Sequence, residues 1–230
     1  MPLPLKTMDW LALSWFFVFW IGYVRFARWY ARRVPSLVMR MTSLRKHWMT
    51  EVVTREVRIG DINILANLSN GSTFFASTTL LILGGLLALL GTTDKIAMVV
   101  MELPFSRQAA GTDRFWDIKI LLLIGIFTFA FFKFTWSLRL YHFCSVMVGG
   151  SPPIEAPSER KEDFIQHAAA TAGLAADSFN NGLRAYYFGL AALMWFINPW
   201  TWMVATSWVV LILYLREFRS DALKTLSRSL

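Results

Sequence analysis

The sequence predicts an all-α protein, a polytopic transmembrane helical bundle with about five spans. Of its 230 residues, 56% are hydrophobic and only 17% are charged. The apolar residues are also clustered, and clustering predicts membrane spans more directly than the total does. Because a helix needs ~20 apolar residues to cross a bilayer, we take as candidate spans the blocks Met8–Val24, Thr73–Leu90, Trp116–Trp136 and Tyr186–Tyr214. We therefore expect a single integral membrane domain over residues 1–230.

The first span covers about Asp9–Val24. We expect it to be retained rather than removed as a secretory signal, because no small-residue cleavage site follows it. The next segment, residues 25–58, carries nine Lys or Arg against two Glu, and this basic excess predicts a cytoplasmic location. Pro35 ends any helix that continues from the first span, and Ser36 or Ser43 is suited to cap a new one.

The second span, Thr73–Leu90, is expected to follow directly from a long amphipathic helix. From Trp48 onward apolar residues recur near helical spacing, which predicts one continuous cytoplasmic helix leading into the membrane. Within the span, Ala76, Gly84 and Ala88 share one face. Small residues at this spacing predict the close approach of a neighbouring helix.

The third span, Trp116–Trp136, follows a predicted external loop over residues 91–115, in which we expect a short interfacial helix. Lys119 and Lys133 lie near the two ends of this span, where each is expected to snorkel outward. The helix is expected to continue until residues 149–153, a Gly-Gly-Ser-Pro-Pro run, stop it.

The last apolar block is too long for one straight span. As a single helix, Tyr186–Tyr214 would be ~44 Å long against a hydrocarbon core of ~30 Å. Pro199 disfavours an α conformation at Asn198, so we divide the block into span four, Leu183–Ile197, a tight turn, and span five, Trp200–Leu215. An acidic-rich segment that begins at Ser158 is expected to start the helix leading into span four, with a closely packing Ala-rich stretch at 168–176.

Five spans fix the predicted orientation. With residues 25–58 inside, the amino terminus is outside and the basic tail, residues 216–230, is cytoplasmic, as the positive-inside rule expects. The predicted location is the cytoplasmic (inner) membrane of a bacterium.

The chain also resembles itself when it is shifted by about 111 residues. Arg28-Trp29-Tyr30 then falls on Arg139-Leu140-Tyr141, and Asn70-Gly71 falls on Asn181-Gly182. The repeat units are residues 9–91 and 116–198, each a span, a cytoplasmic turn, a long amphipathic helix and a span. The final span, 200–215, and the tail lie outside the repeat. Two spans per unit make this a parallel repeat.

The most informative polar residues lie where the long helices enter the membrane. They are Asp61, Asn63, Asn67 and Asn70 in the first unit, and Asp177, Asn180, Asn181 and Arg184 in the second. Such groups cost several kcal/mol in lipid unless they are paired or hydrated. One interpretation is a polar vestibule or ligand site between the units, and the other is interfacial amides that hydrogen-bond between helices. Arg184 is expected either to reach lipid phosphates or to pair with Asp61 or Asp177.

A second group of candidate residues is the basic run that ends span one, namely Arg25, Arg28, Arg32 and Arg33. It is suited to anionic lipid headgroups, at roughly 1 kcal/mol per residue, or to an acidic partner subunit. The net charge of +8 would suggest nucleic acid in a soluble protein. Here the basic residues crowd the helix ends of one side, so we expect no nucleic-acid partner.

Motifs for catalysis and for metal or cofactor binding are missing from the sequence. It has no phosphate-binding Gly loop, no Gly-x-Ser-x-Gly and no His-Glu-x-x-His. His47, His142 and His167 lack metal-type spacing, and Cys144 is the single cysteine. We therefore expect no catalytic residue, no metal and no cofactor.

The expected function is a non-catalytic integral membrane scaffold or accessory subunit. Its partners would be membrane lipids and other membrane-protein subunits or a second copy of the chain. The alternative that the sequence leaves open is a transporter or channel for a small polar or anionic solute.

Three stretches carry a family resemblance: Arg55-Glu56-Val57-Arg58-Ile59-Gly60-Asp61, Asn67-Leu68-Ser69-Asn70-Gly71-Ser72-Thr73-Phe74-Phe75-Ala76-Ser77, and Arg184-Ala185-Tyr186-Tyr187-Phe188. Together with the basic end of span one, they make the chain similar to the domain of unknown function 599 family, which contains bacterial and plant multi-pass membrane proteins. The resemblance extends over most of the chain. It implies a membrane location and a multi-span architecture, and it implies no activity.

Overall fold

The computed structural model describes residues 7–31, 33–34, 36–90 and 113–226. Its regular structure there is helical without strands, which confirms the all-α prediction. The helices are α1 (Thr7–Tyr30), α2 (Leu37–Val52), α3 (Ile59–Leu90), α4 (Asp113–Gly149), α5 (Ser158–Leu193), a 3₁₀ turn (Met194–Phe196), α6 (Pro199–Phe218) and α7 (Asp221–Leu226).

Four helical stretches among the described residues are long and apolar enough to cross a membrane: Thr7–Tyr30, Ile59–Leu90, Trp116–Gly149 and Pro199–Leu226, the last of which covers α6 and α7. Large apolar side chains on these helices, such as Leu81 and Val204, are exposed on the outside of the bundle. An apolar exterior is what a bilayer requires of the helices that it surrounds. The chain is therefore a membrane-spanning helical protein.

The predicted fourth span is the second half of α5, which is not among those four. It nevertheless lies inside the bundle. Phe188 of α5 is fully buried in the same core as Phe16 of α1 and Phe134 of α4. α5 has 36 residues and is ~54 Å long; its apolar half runs between the other helices, and its amino-terminal half packs in a second core with α2 and α4.

The turn between α5 and α6 forms where it was predicted. Asn198 is extended, with φ −164° and ψ 163°, and its side chain accepts a hydrogen bond of 2.7 Å from the Thr201 amide. Pro199 occupies the first helical turn, where a missing N–H costs nothing. This cap divides the last apolar block into two antiparallel segments, which confirms the predicted split.

The predicted continuous helix from Trp48 into span two is wrong. Ser36 caps α2 by accepting from the Met39 amide, which confirms one of the two predicted caps, but α2 ends at Val52 and α3 begins only at Ile59. Burial explains the break, because Val52 belongs to a core that includes side chains of α4 and α5. A straight helix would carry α2 away from that core.

The predicted loop over residues 91–115 and its interfacial helix lie mostly outside the described residues, although α4 already begins at Asp113. The Gly-Pro run after α4 ends that helix at Gly149, and α5 begins at Ser158, both as predicted.

On the predicted face of α3, Ala76 is buried in the core, but the closest approaches at glycines occur between α4 and α5. A Cβ atom on Gly182 would lie 2.6 Å from the Phe134 ring, and one on Gly189 would lie 3.1 Å from the Phe127 ring. The predicted approach at Gly84 is wrong, because this exposed residue has no described atom within 4 Å of a Cβ position. The Ala-rich stretch of α5 does pack closely, since its alanines Ala168, Ala169, Ala172, Ala175 and Ala176 are buried.

Polar side chains connect α3 and α5 across α4. Ser72 and Ser137 are 3.0 Å apart at their hydroxyls, and Ser137 donates to the Ala175 carbonyl at 2.8 Å. The Phe75 and Tyr186 rings, which occupy equivalent positions in the predicted repeat, contact each other with centroids 5.6 Å apart. The two predicted units differ in their connections, because the first contains the separate helices α2 and α3 whereas α5 is continuous in the second.

The bundle has two chemically different ends. α1, α4 and α6 run toward one end, which we call the basic end, and α3 and α5 start there. Described basic residues in the helix turns at or near it are Arg25, Arg28, Arg33, Arg40, Arg45, Lys46, Arg55, Arg58, Arg139, Arg160, Lys161, Arg184, Arg216, Arg219 and Lys224. The opposite end carries the α5–α6 turn and is called the tight-turn end.

Lys119 does not snorkel from the tight-turn end as predicted. It is 3% exposed and donates to the Trp195 carbonyl at 2.8 Å. The indole of Trp195 in turn donates to Asp9, 2% exposed, at 2.8 Å. A carboxylate and a carbonyl inside the bundle hold the ammonium group there, because a buried charge requires such partners. Lys133 is half-buried, with its ammonium 5.3 Å from the Phe129 ring centroid.

Candidate functional site: a basic vestibule

A cavity of about 300 Å³ lies inside the basic end of the bundle. Helices α1 to α6 all contribute to its wall. The polar lining residues are Tyr23, Arg45, Tyr141, Asp177, Asn180, Arg184, Tyr187, Arg216 and Glu217. We call this cavity the basic vestibule, since three guanidinium groups face two carboxylates in it.

Helix α2 covers the vestibule because both of its ends are fixed to the bundle. The Glu217 carboxylate accepts a hydrogen bond of 3.2 Å from the Val38 amide, and a negative charge is favourable at a helix amino terminus. At the other end of α2, Met49 and Val52 are buried in the core. The charge of Glu217 is therefore engaged by α2 rather than by an arginine.

Two arginines approach the vestibule from adjacent helices. Arg184 of α5 donates to the Asn181 side chain at 3.3 Å, and its guanidinium lies 5.8 Å from the Tyr23 ring centroid. Arg216 of α6 donates to the Tyr187 hydroxyl at 2.7 Å. Within the described ranges neither guanidinium forms an ion pair with a carboxylate. Since a guanidinium carries five N–H donors, each retains donors for another acceptor.

The third arginine, Arg45, reaches the vestibule from α2. Burial lowers its pKa from the usual value, while Tyr141 and Asp177 act in the opposite direction. Arginine stays protonated despite such a shift, so its partly desolvated charge remains. Desolvation without a bound counter-ion is unfavourable, and an anion placed beside Arg45 would offset it.

Tyr23 forms the buried part of the wall. Only 5% of the residue is exposed, and its hydroxyl makes no hydrogen bond to any residue that the structure describes. The nearby charged groups are Arg184, Glu217 and Arg216. Since Tyr23 lines the vestibule and its hydroxyl has no partner among the described residues, this O–H is available as a donor to a bound ligand.

The sequence-predicted polar residues separate into two surroundings. From the second unit, Asp177, Asn180 and Arg184 line the vestibule, and Asn181 supports Arg184. None of the four predicted residues of the first unit lines it. A Cβ atom on Gly71 of α3 would lie 3.9 Å from the Phe179 ring of α5.

Asp61 instead organises the turn between α2 and α3. It is 1% exposed and accepts hydrogen bonds from the Trp48 indole at 2.8 Å and from Arg55 at 2.7 Å. Asn63, Asn67 and Asn70 are exposed on the outside of α3. Arg184 pairs with neither of its predicted partners, Asp61 and Asp177, among the described residues.

The basic run at the end of α1 borders a different feature. Arg25 and Arg28 lie at the edge of an open groove of about 630 Å³ between α1 and α4. Its walls are apolar and comprise Phe17, Trp20, Ile21, Val24, Leu121, Leu122, Gly125, Ile126 and Phe129. Arg33 lies over the Trp29 ring at 4.2 Å, and Arg32 is outside the described residues.

Sequence reasoning missed Tyr23, Arg45, Tyr187, Arg216 and Glu217 as members of one site, because they come from four helices whose packing no local pattern reveals. One signal was present. Val38, Met41 and Arg45 follow helical spacing along one face of α2, and that face lines the vestibule.

Metal-ligand chemistry has no candidate in the part of the chain that the structure describes, where no group of three or more His, Cys, Asp or Glu side chains could hold an ion. Cys144 is buried, and its thiol is 3.8 Å from the Ala168 carbonyl.

Comparison with known proteins identifies one family. Residues 11–222 match the model of the family DUF599, which is described as a protein of unknown function. No curated protein and no solved structure gives a significant match.

Proposed function

Because the chain belongs to the DUF599 family, whose members have no stated function, we propose its role from physical features. We propose that it is a non-catalytic integral membrane scaffold or accessory subunit that packs with lipids and with other membrane-protein subunits. Its outward apolar surface and its filled interior together support this role.

The filled interior is the observation that carries the proposal. Between the vestibule and the tight-turn end, the core contains Phe16, Phe134, Phe188, Trp195 and Trp202, each at most 1% exposed. The Phe16 ring contacts the rings of Phe188 and Trp202, and Trp195 stacks on Trp202 with centroids 4.4 Å apart. A solute pathway needs water or polar groups along its length, whereas these five side chains present mainly apolar ring faces, and the Trp195 indole and the nearby Lys119 ammonium are already bonded to Asp9 and the Trp195 carbonyl, respectively.

The groove between α1 and α4 is the feature best suited to a lipid chain or a partner helix. It is open and apolar, and Arg25 and Arg28 lie one turn apart at its basic edge. A basic group near the membrane surface is attracted to anionic headgroups by roughly 1 kcal/mol. Gly125 leaves open space in the α4 wall, since no described atom lies within 4 Å of its Cβ position.

Co-purification tests the proposal. We expect the tagged protein, extracted from native membranes in mild detergent, to retain a stoichiometric membrane-protein partner, a second copy or bound lipid, identified by native mass spectrometry. Gly125→Leu should reduce this retention because it fills the groove. Gly84→Leu is the matched control, because Gly84 is equally open but lies on α3, away from the groove. A bare monomer from every mild extraction would contradict the proposal.

The alternative function is a transporter or channel for a small polar or anionic solute, and the basic vestibule favours it. In a Cys144→Ala background, cysteines at Asn180, in the vestibule, and at Phe188, in the core, distinguish the two. The scaffold proposal expects a membrane-impermeant maleimide to label position 180 and to leave position 188 unlabelled. Labelling at both, from one side of the membrane, would favour transport.

A further inference from the structure

The basic vestibule combines features that a packing role does not require. Three arginines from three helices, Arg45, Arg184 and Arg216, line the cavity. Tyr23, which is buried, also lines it. Arg216 is exposed at the rim of this cavity. α2 covers the cavity from one side, and Arg184 keeps its guanidinium beside the buried ring of Tyr23.

We propose that the basic vestibule binds a phosphate group, with Arg184 and Arg216 as its principal ligands and the Tyr23 hydroxyl as a third donor. The phosphate would belong to a soluble phosphate ester or to the headgroup of an anionic lipid, since both present the same oxygens. This site is separate from the α1–α4 groove, and its existence does not depend on the scaffold proposal.

Charge supports an anionic ligand. Of the two lining carboxylates, Glu217 is engaged by the Val38 amide, and Asp177 is largely exposed at the surface. Neither forms an ion pair with Arg184 or Arg216 within the described chain. The planar guanidinium matches two oxygens of a phosphate at once, which makes arginine the preferred residue for this group.

The supporting groups orient the two arginines before a ligand arrives. Asn181 and Tyr187 each accept one hydrogen bond from them, which fixes one edge of each guanidinium. The remaining edges are then available. Preorganised donors lose less side-chain entropy when they bind.

The size of the cavity restricts the ligand. Its volume of about 300 Å³ is at the lower end of the range for small-molecule pockets, so it holds a headgroup or a small ester rather than a whole lipid. Leu68, Leu183 and Leu213 supply apolar wall, which is suited to the carbon part of a glycerol phosphate.

Binding is tested with the full-length protein in a neutral detergent, using inorganic phosphate and glycerol 3-phosphate as soluble probes. Nanodiscs of phosphatidylcholine with and without phosphatidic acid provide the lipid arm. We expect at least one probe to raise the thermal midpoint of the wild-type protein in a saturable manner. Arg184→Gln, Arg216→Gln and Tyr23→Phe should each weaken the apparent affinity severalfold, and the Arg184→Gln and Arg216→Gln pair together by at least tenfold.

Arg28→Gln is the matched control, since Arg28 is exposed at the same basic end but outside the vestibule. The affinity of this variant for the probes should equal that of the wild type. Tyr23→Phe keeps the aromatic ring, so it tests the site even where loss of Arg184 prevents folding. If the soluble probes saturate the site, the bound phosphate belongs to a soluble ester. If only phosphatidic acid raises the thermal midpoint, it belongs to a lipid headgroup. No response of the wild type to any probe, or equal weakening in Arg28→Gln, would overturn the proposal.

Discussion

Two buried carboxylates at opposite ends of the bundle are each held by an indole N–H. At the basic end Trp48 donates to Asp61, and at the tight-turn end Trp195 donates to Asp9. In each case a cation completes the arrangement, since Arg55 pairs with Asp61 and Lys119 bonds to the Trp195 carbonyl. Both bonds to Asp61 end on its Oδ1, and its buried Oδ2 has no hydrogen-bond partner among the described residues. Burying a carboxylate is costly unless it is paired, so we expect loss of these bonds to lower stability at both ends.

Asp61→Ala is predicted to lower the free energy of unfolding by about 2–3 kcal/mol. This is less than the ~3–5 kcal/mol typical of a broken buried pair, because the Arg55 side chain is partly exposed and can rehydrate. Asn63→Ala, at an exposed position on the same helix, is the control and should have little effect. Thermal unfolding in detergent measures both, and equal losses would contradict the buried role of Asp61.

Trp195→Phe is predicted to cost about 1.5–3 kcal/mol, the range for a lost hydrogen bond to a charged group. The phenyl ring retains most of the apolar packing, so the loss reports mainly on the bond to Asp9. Trp200→Phe is the matched control because Trp200 is exposed. If both variants unfold at the same temperature, the indole bond at the tight-turn end contributes nothing measurable.

At the scale of the elements, the contact between α4 and α5 depends on two glycines, each facing a phenylalanine ring. Phe134 is fully buried and stacks on Phe75 with centroids 5.2 Å apart, so it has little room to withdraw from a side chain at Gly182. Phe127 lies farther from the Cβ position of Gly189. Small residues let membrane helices approach each other closely, and here the approach belongs to α5.

Gly182→Ala is therefore predicted to destabilise the protein by about 1–3 kcal/mol through overpacking, and Gly189→Ala by less. Gly173→Ala, on the same helix, should be neutral or stabilising by about 0.5–1 kcal/mol, because its Cβ position is open and alanine favours the helix. Thermal unfolding of the three variants gives the order. A Gly182→Ala variant as stable as Gly173→Ala would contradict the packing described for α4 and α5.

At the scale of the whole molecule, basic residues concentrate at one end of the bundle, where α1, α4 and α6 finish and α3 and α5 begin. In a membrane, such asymmetry favours the cytoplasm for the basic end. We therefore predict five passages through the bundle, with the amino terminus outside and the carboxyl terminus inside. The vestibule, which lies at the basic end, would open to the cytoplasmic side.

Reporter fusions after residues 43, 111, 158 and 230 test this orientation. We expect them to report inside, outside, inside and inside, respectively, because α5 and the short α5–α6 turn return the chain to the basic end. A fusion at residue 230 that reports outside would contradict both the predicted five membrane passages and the predicted cytoplasmic location of the carboxyl terminus.

Local chemistry predicted most of the helices and several of their ends, but not the break between α2 and α3. Ser36, Pro199 and the Gly-Pro run after Gly149 act through their own backbone preferences, so their caps and breaks could be read directly from the sequence. Apolar block length likewise determined the membrane class, because the bilayer sets that length for any helix. The Asn198–Pro199 turn belongs to the same group of local signals.

Only the tertiary structure decided which polar residues meet. Asp61 and Arg184 carried equivalent expectations in the sequence, yet burial assigns Asp61 to the α2–α3 turn and packing assigns Arg184 to the vestibule. Arg45 joins Arg184 because α2 folds back over the bundle, and that fold-back depends on the burial of Val52 by α4 and α5. Arg216 is brought there by α6, which packs on α5, and it donates to Tyr187. Contacts between residues far apart in the chain follow from the packing of whole helices, which no local pattern encodes.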